Sequence, residues 1–186
     1  MTSDYAEEFR AVGRMLWEAG LVSSHGGNMS VRLPDGGLMV TCTGAMLGRI
    51  GEGDLVKVAG DGSSRGEPSM DTGAHRAVYE ATGAGVVLHA HPRHAIALSL
   101  VVDEVEPADA EGQLRLGLVP VVEPEQIAKA LRQAPIVLAR GHGSYARGDD
   151  LWQTLQWTSV LEESAEVLWL LRTMRKAGQT DYRPPS

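Results

Sequence analysis

Two histidines stand one residue apart in the otherwise apolar run "GVVLHAH". The run is rich in β-branched residues and is predicted to form a strand. Because side chains alternate across a strand, His89 and His91 are expected to project from one face while Ala90 points away. Two imidazoles on one rigid face suit a divalent metal such as zinc, which binds neutral histidine nitrogen. For the pair alone, two hydrogen-bonded structural histidines are an equally good interpretation.

A third histidine, His142, favours the metal interpretation. It lies in "RGHGSYARG", directly after the apolar run "IVLA". A third imidazole at that place would complete a three-nitrogen site with an open position, the pattern of a catalytic zinc. The remaining three of the six histidines have weaker claims. His25 could contact substrate or nothing, His75 could lie in an outer layer of the site, and His94 has the context of a surface or interface residue.

Polar loops rich in glycine provide a second kind of candidate site. "SSHGGNMS" and "TCTGAM" flank a predicted hairpin, and "EPSM" is a third polar loop further along the chain. Loops of this composition can turn successive backbone N–H groups toward an anion such as phosphate. Each loop alone is also compatible with an ordinary turn, so the sequence leaves both interpretations open.

The elements that must position these residues alternate between strand and helix. The first half of the chain is predicted to contain a helix at 4–19, a hairpin at 28–42, a strand in "DLVKVAGDG" and a helix from Asp71 to Gly83. Two strand–helix pairs follow: "GVVLHAH" with a helix opened by Pro92, and "VPVV" with a helix opened by Pro124. The chain then continues with the strand "IVLA", a loop over "RGHGSYARG" and a long helix at 149–176. This alternation indicates a layered α/β domain. The early hairpin argues against an all-parallel sheet.

Composition excludes several functional classes. The 186 residues are enough for one well-buried domain, and a net charge of −7 argues against nucleic acid as the main partner. No apolar run approaches the roughly 18 residues of a membrane-spanning helix, and the acidic N-terminus is unlike a signal peptide. The single cysteine, Cys42, has no partner for an internal disulfide, so a reducing cytoplasm is the expected location.

The ordered motifs G-N-x-S, T-G, P-S-x-acid, H-x-H and H-G, together with "LEESAEVL", span nearly the whole chain. In this combination the sequence resembles the class II aldolase/adducin family, and within it the L-fuculose-1-phosphate aldolase branch and short bacterial relatives. The resemblance implies an α/β fold, namely a three-layer α/β/α sandwich with a central mixed or largely antiparallel β-sheet. It further implies a homotetramer with active sites at subunit interfaces, and a zinc ion held by three histidines, with cobalt or manganese as possible substitutes.

Carried onto this sequence, the resemblance assigns roles to particular residues. The metal ligands are His89, His91 and His142, the catalytic acid is Asp71, and the phosphate-binding residues are Asn28, Thr43, Gly44 and Ser69. The implied reaction is cleavage of a ketose 1-phosphate, such as L-fuculose 1-phosphate, to dihydroxyacetone phosphate and an aldehyde through a metal-stabilised enediolate. A 4-epimerase acting on L-ribulose 5-phosphate, a sugar-phosphate dehydratase and a decarboxylase are alternatives on the same site. A non-catalytic scaffold like adducin is disfavoured, because that branch lacks the histidines.

The sequence also departs from the aldolase pattern. Asp71 stands where these aldolases usually carry Glu, and Met70 replaces a second phosphate-binding Ser. The run Asp71-Thr72-x-x-His75 resembles the epimerase branch, which uses a second acid and a C-terminal tyrosine. Candidates for the second acid are Asp109 and Glu111, and Tyr182 is the candidate tyrosine. It lies in a stretch at 178–186 that we expect to be a flexible tail after a single domain at 1–177.

Overall fold

A computed structural model of the chain describes residues 2–178. The elements are, in chain order, α1 (Thr2–Glu18), β1 (Asn28–Arg32), β2 (Leu38–Thr41), β3 (Leu55–Val58), α2 (Thr72–Thr82), β4 (Val86–Ala90), α3 (Arg93–Ser99), β5 (Glu104–Val105), α4 (Ala110–Arg115), β6 (Val119–Val122), α5 (Ile127–Ala130), β7 (Ile136–Ala139), β8 (Gly143–Gly148) and α6 (Leu151–Lys176). Tyr182 and most of the predicted tail, residues 179–186, lie outside the described residues.

The strands form one eight-stranded sheet in the order β3-β2-β1-β4-β8-β7-β6-β5. Among the described strands, the β6–β7 pair is parallel and the other neighbours are antiparallel. The sheet is therefore mixed and largely antiparallel, as the family resemblance implies. No helix within residues 2–178 is long and apolar enough to cross a membrane.

Helices cover both faces of the sheet, and the alternation of side chains along β4 shows how. Val86 and Leu88 pack with residues of α1 and α6 in one apolar cluster. Val87, between them in sequence, packs with residues of α2 and α5 on the opposite face. A third cluster joins α3 and α6 to β6, β7 and β8. This arrangement confirms the expected three-layer sandwich.

The predicted loop over residues 140–148 is wrong. Gly143–Gly148 form strand β8, which pairs with β4 on one side and β7 on the other. The segment carries two glycines, an arginine and no β-branched residue, so its local propensity for a strand is low. Pairing on both edges overrides that propensity. The helix predicted after Pro124 is also shorter than expected, because a 3-10 turn at Pro124–Gln126 leads into the single turn of α5.

Candidate active site

The three candidate metal ligands lie together at one edge of the sheet. His89 is the penultimate residue of β4, His91 follows the end of that strand, and His142 occupies the tight turn between β7 and β8. One nitrogen from each ring lies within 4.8 Å of the nitrogens of the other two. Because β8 lies between β4 and β7 in the sheet, residues more than fifty positions apart in sequence meet at this corner.

The tautomer of His89 follows from its hydrogen bond. Its Nδ1 lies 2.9 Å from the carbonyl oxygen of Ser144. A carbonyl can only accept, so Nδ1 carries the hydrogen and Nε2 presents a lone pair. Burial lowers the pKa of His89 to about 3, and the neighbouring His91 adds a smaller contribution in the same direction. His89 is therefore neutral at physiological pH, which is the form that binds metal.

His91 directs its Nε2 at the same point. The Nε2 atoms of His89 and His91 lie 3.0 Å apart, and two nitrogens bound to one tetrahedral zinc ion at about 2.0–2.1 Å are roughly 3.3 Å apart. Burial, followed by the nearby His142, lowers the pKa of His91. His91 is half-buried and His142 is exposed. The donor set and its spacing thus fit a divalent ion with one side open to solvent.

Two glycines permit this close approach of imidazoles and backbone. A Cβ added to Gly143 would lie 2.8 Å from Cδ2 of His91 and 2.9 Å from Cε1 of His89, and it would also collide with the carbonyl oxygen of Ala90. A Cβ on Gly26 would lie 2.6 Å from Nδ1 of His91. Both glycines are therefore required by space rather than by backbone conformation.

Replacing Gly143 by alanine is expected to destabilise the protein. The added methyl must displace the backbone at Ala90 or the two imidazoles, and overpacking of this kind costs about 1–3 kcal/mol. Urea unfolding should show a lower midpoint. Gly73→Ala is the matched control, because no atom lies within 4 Å of a Cβ built there and its midpoint should be unchanged or slightly raised. A wild-type midpoint for Gly143→Ala would contradict the steric argument.

A cavity of about 290 Å³ opens beside the histidine cluster. Its wall includes all the residues to which the family resemblance assigns a metal, catalytic or phosphate-binding role: Asn28, Thr43, Gly44, Ser69, Asp71, His89, His91 and His142. His25, Cys42 and Met70 also line it. Segments that are far apart in sequence therefore enclose one space, with nitrogen donors and a carboxylate in its wall. The roles of the individual residues stay predictions.

Asp71 lies at the N-terminus of α2, next to the histidines. Its Oδ2 accepts a hydrogen bond of 2.7 Å from Nδ2 of Asn28 and lies 3.9 Å from Nε2 of His89. Burial pushes the pKa of the Asp71 carboxyl up, but the hydrogen bond from Asn28 and the electrostatic attraction of the surrounding imidazoles in their protonated form outweigh it and leave the pKa below its usual value. Asp71 is therefore an ionised carboxylate, held in a fixed orientation and able to accept a proton.

The candidate phosphate loops are hydrogen-bonded to each other. The Thr43 hydroxyl donates to the carbonyl oxygen of Pro68 at 2.9 Å, and the Thr43 N–H donates to that of Glu67. The Ser69 hydroxyl accepts the N–H of Asp71 at 3.3 Å, which leaves its own hydrogen free to be donated. Gly44 has a positive φ of 77°, a conformation that glycine adopts without strain. Ser69 is thus better prepared than Thr43 to donate a side-chain hydrogen bond to an anion.

Tyr145 is a site residue that the sequence analysis missed. It lies directly opposite His89 in the β4–β8 register, and the two rings stack with centroids 4.2 Å apart and planes 18° from parallel. Burial, and after it the charge and hydrogen bond of Asp71, raises the pKa of its hydroxyl. Tyr145 therefore stacks on the histidine cluster and lies close enough to the Asp71 carboxylate for its charge to act on the hydroxyl. Only the assignment of residues 143–148 as a strand could have placed it there.

The remaining histidines lie outside the cluster. His25 lines the cavity and is exposed, with Nδ1 3.0 Å from the Ser24 hydroxyl. His75 is fully buried, bonded through Nδ1 to the Ser30 hydroxyl at 2.7 Å, and burial lowers its pKa to about 4. His94 pairs with Glu162 at 2.9 Å. His25 is therefore the one of these three whose place in the structure allows contact with substrate.

The candidates for a second acid lie at the start of α4, outside this cavity wall. Asp109 accepts the N–H of Gly112 at 2.7 Å and caps the helix. Glu111 pairs with Arg115, one helical turn away, at 2.9 Å. Within the described chain neither carboxylate contacts the histidine cluster. Both have structural partners, and their role as a second acid stays a prediction.

Comparison with known proteins connects this site to a family. The family model "Class II Aldolase and Adducin N-terminal domain" matches residues 7–169. A crystal structure of l-fuculose-1-phosphate aldolase from Thermus thermophilus is similar with a TM-score of 0.88 and 36% identity, covering 94% of this chain and 97% of that chain.

Curated relatives carry names for other reactions. The 3-oxo-tetronate 4-phosphate decarboxylase of Escherichia coli strain K12 is 28% identical over 182 residues, which cover 89% of this chain and 86% of the relative. A methylthioribulose-1-phosphate dehydratase of Acidiphilium cryptum is 33% identical over 182 residues, which cover 84% of this chain and 86% of the relative. The similar proteins thus divide among an aldolase, a decarboxylase and a dehydratase.

Proposed function

Because the chain belongs to the class II aldolase/adducin family, whose aldolases are metal-dependent, we propose that it is a metal-dependent aldolase that cleaves a ketose 1-phosphate to dihydroxyacetone phosphate and an aldehyde. The observation that carries the proposal is the meeting of three imidazole nitrogens within 4.8 Å of one another in the wall of a cavity that also contains Asp71. The 36% identity to an L-fuculose-1-phosphate aldolase over 94% of the chain supports the choice of reaction.

His89, His91 and His142 would hold the metal. The neutral state of His89 and the hydrogen bond from its Nδ1 to Ser144 prepare its Nε2 for this role. When bound, the ion supplies a Lewis acid that polarises substrate oxygens and stabilises negative charge, a contribution of several kcal/mol. Zinc is the proposed metal because three histidines with an open position are typical of catalytic zinc.

Asp71 would carry the proton in the cleavage step. Its carboxylate takes the proton of the substrate hydroxyl on the carbon that becomes the aldehyde, while the C–C bond breaks and its electron pair stays on the ketone fragment. Asp71 then returns that proton to the carbon freed by cleavage, so its charge is restored after each turnover. The hydrogen bond from Asn28 holds the carboxylate in one orientation through both transfers.

The loops that carry Asn28, Thr43, Gly44 and Ser69 would hold the phosphate group. Fixing the non-reacting end of the substrate positions its reacting carbons against Asp71, which is the entropic part of catalysis. Ser69 has a hydroxyl hydrogen to donate, and its loop is fastened to the Thr43 loop by hydrogen bonds. Met70 lines the same cavity with an apolar side chain, so we expect fewer phosphate contacts than a second serine would provide.

A dehydratase or decarboxylase acting on a sugar phosphate is the second candidate. The 33% identity to a methylthioribulose-1-phosphate dehydratase favours it. Both candidates use the same metal ligands and differ in which bond of the substrate breaks.

The proposal is tested by assaying purified protein on three substrate groups. Ketose 1-phosphates are monitored for dihydroxyacetone phosphate, 5-methylthioribulose 1-phosphate for its dehydration product, and 3-oxo-tetronate 4-phosphate for carbon dioxide. The aldolase proposal expects dihydroxyacetone phosphate from at least one ketose 1-phosphate, and loss of that activity after chelation with recovery on adding zinc. Carbon dioxide or the dehydration product alone would instead select the second candidate.

Three further parts of the proposal concern the substrate class, the oligomeric state and the cellular location. The substrate is a small sugar phosphate, the assembly is a homotetramer with active sites at subunit interfaces, and the location is the cytoplasm. Exposed large apolar side chains such as Leu100, Val101 and Leu114 support an assembly. Light scattering of the purified protein measures its mass directly, and four times the 19.9 kDa chain is expected.

A further inference from the structure

The short helix α3 begins directly after the ligand-bearing segment at His91. Pro92 occupies its N-cap position and offers no capping side chain. The first N–H groups of the helix instead donate to Glu162 of α6: the N–H of His94 lies 3.0 and 3.1 Å from its two carboxylate oxygens, and the N–H of Ala95 lies 3.1 Å from Oε2. The His94 ring adds a bond of 2.9 Å from Nδ1. Glu162 thus supplies the cap that α3 lacks in its own sequence.

The other end of α3 is fastened to the turn that carries His142. The buried hydroxyl of Ser99 accepts the N–H of Gly141 at 2.9 Å. The Arg140 guanidinium donates to the carbonyl oxygens of Ser99 at 2.7 Å and Val102 at 3.1 Å. These bonds hold the two residues that immediately precede His142. The exposed imidazole of His142 therefore stands on a backbone that is tied to the C-terminal end of α3.

We propose that α3 is a strut that sets the separation between His91 and His142, and that Glu162 is the positioning residue that holds this strut. This inference rests on the proposed metal site. Glu162 touches neither the three imidazoles nor the cavity wall described above, so it acts through the backbone. His89 is fixed independently by its strand and by Ser144, whereas the other two ligands depend on turns at the two ends of one helix. The sheet brings these two turns to one corner, and the His91 N–H also donates to the Leu21 carbonyl oxygen. The remaining adjustment of their mutual spacing depends on α3 and on what anchors it.

The test measures metal binding itself and does not depend on activity. Apo protein is titrated with zinc against a chelating indicator dye, and with cobalt while the visible absorption of the Co²⁺ site is recorded. Glu162→Gln is expected to weaken zinc affinity about 10- to 100-fold and to alter the cobalt spectrum, since partners that orient ligands contribute on that scale. The amide keeps the size of the side chain, but its NH₂ group cannot accept from the helix N–H groups.

Two further variants make the result specific. Glu163→Gln changes the neighbouring exposed residue on the same helix and should keep zinc affinity within about twofold. Ser99→Ala removes the acceptor for Gly141 at the other end of α3 and should also weaken zinc affinity, by roughly tenfold. If Glu162→Gln does not fold, Ser99→Ala decides the test alone.

The outcomes separate the inference from the function on which it rests. Folded Glu162→Gln or Ser99→Ala with wild-type zinc affinity and cobalt spectrum would overturn the strut, while the metal site would stand. A lower melting temperature with an unchanged cobalt spectrum would likewise overturn it, because that result describes a purely structural cap. Wild-type protein that binds no stoichiometric metal would overturn the proposed function and the strut with it.

Discussion

Replacing His142 by alanine is expected to abolish stoichiometric metal binding and to lower kcat/KM by roughly 10³-fold, because the loss of a bound Lewis acid removes several kcal/mol of transition-state stabilisation. The substitution deletes one of the three nitrogens that lie within 4.8 Å of one another. The side chain is exposed, so its loss leaves the core intact. Metal content after gel filtration and kcat/KM for the substrate identified by the assays measure the two effects.

His25→Ala is the matched control for this variant. His25 is also an exposed imidazole in the wall of the same cavity, but it lies outside the three-nitrogen cluster. Its alanine variant should retain one metal ion per chain, even if contact with substrate changes KM. Full metal content in His142→Ala, or equal metal loss in both variants, would contradict the assignment of His142 as a ligand.

The sequence predicted the elements whose periodicity is strong. The apolar stripes of α1 and α6, the hairpin β1–β2 and the strand β4 all occur close to their expected bounds. The strand β8 could not be recognised, because Gly143–Gly148 owe their conformation to the strands on either side and carry little propensity of their own. The short elements β5 and α4 likewise have too few residues to show a period.

The site residues also differ in how far the sequence alone predicts their positions. His89 and His91 are predicted to share one face because side chains alternate along a strand. This prediction needs only the sequence of the strand itself. The convergence of His142 depends on the order of β4, β8 and β7 in the sheet, and spacing alone does not contain that order. The place of His142 after the apolar run "IVLA" suggests a third ligand, and the resemblance to a family assigns it that role. Tyr145 was missed for the same reason, since its contact with His89 exists only through the β4–β8 register.

Replacing Asp71 by asparagine is expected to lower kcat by about 10²–10⁴-fold while metal stays bound, because proton transfer by a positioned carboxylate contributes on that scale. The new side chain has nearly the same shape, and its Oδ1 can still accept from Nδ2 of Asn28, so the pocket should persist. The measurements are kcat at saturating substrate and metal content. Asp61→Asn is the control, because this exposed carboxylate lies in the turn beside Ser63 and its variant should keep wild-type kcat.

Asp71→Glu then distinguishes loss of the carboxylate from loss of its position. The glutamate keeps an ionisable oxygen and extends about 1.5 Å further from the backbone. It should therefore retain more activity than the asparagine variant, but less than wild type, because it can no longer meet both Asn28 and the substrate in the present geometry.

If Asp71→Asn keeps more than about a tenth of wild-type kcat, which lies outside the range expected for a proton-transfer group, another residue must move the proton. Tyr145, whose hydroxyl interacts with Asp71, would then be the first residue to replace, and Tyr145→Phe would preserve its stacking on His89 while removing only the hydroxyl.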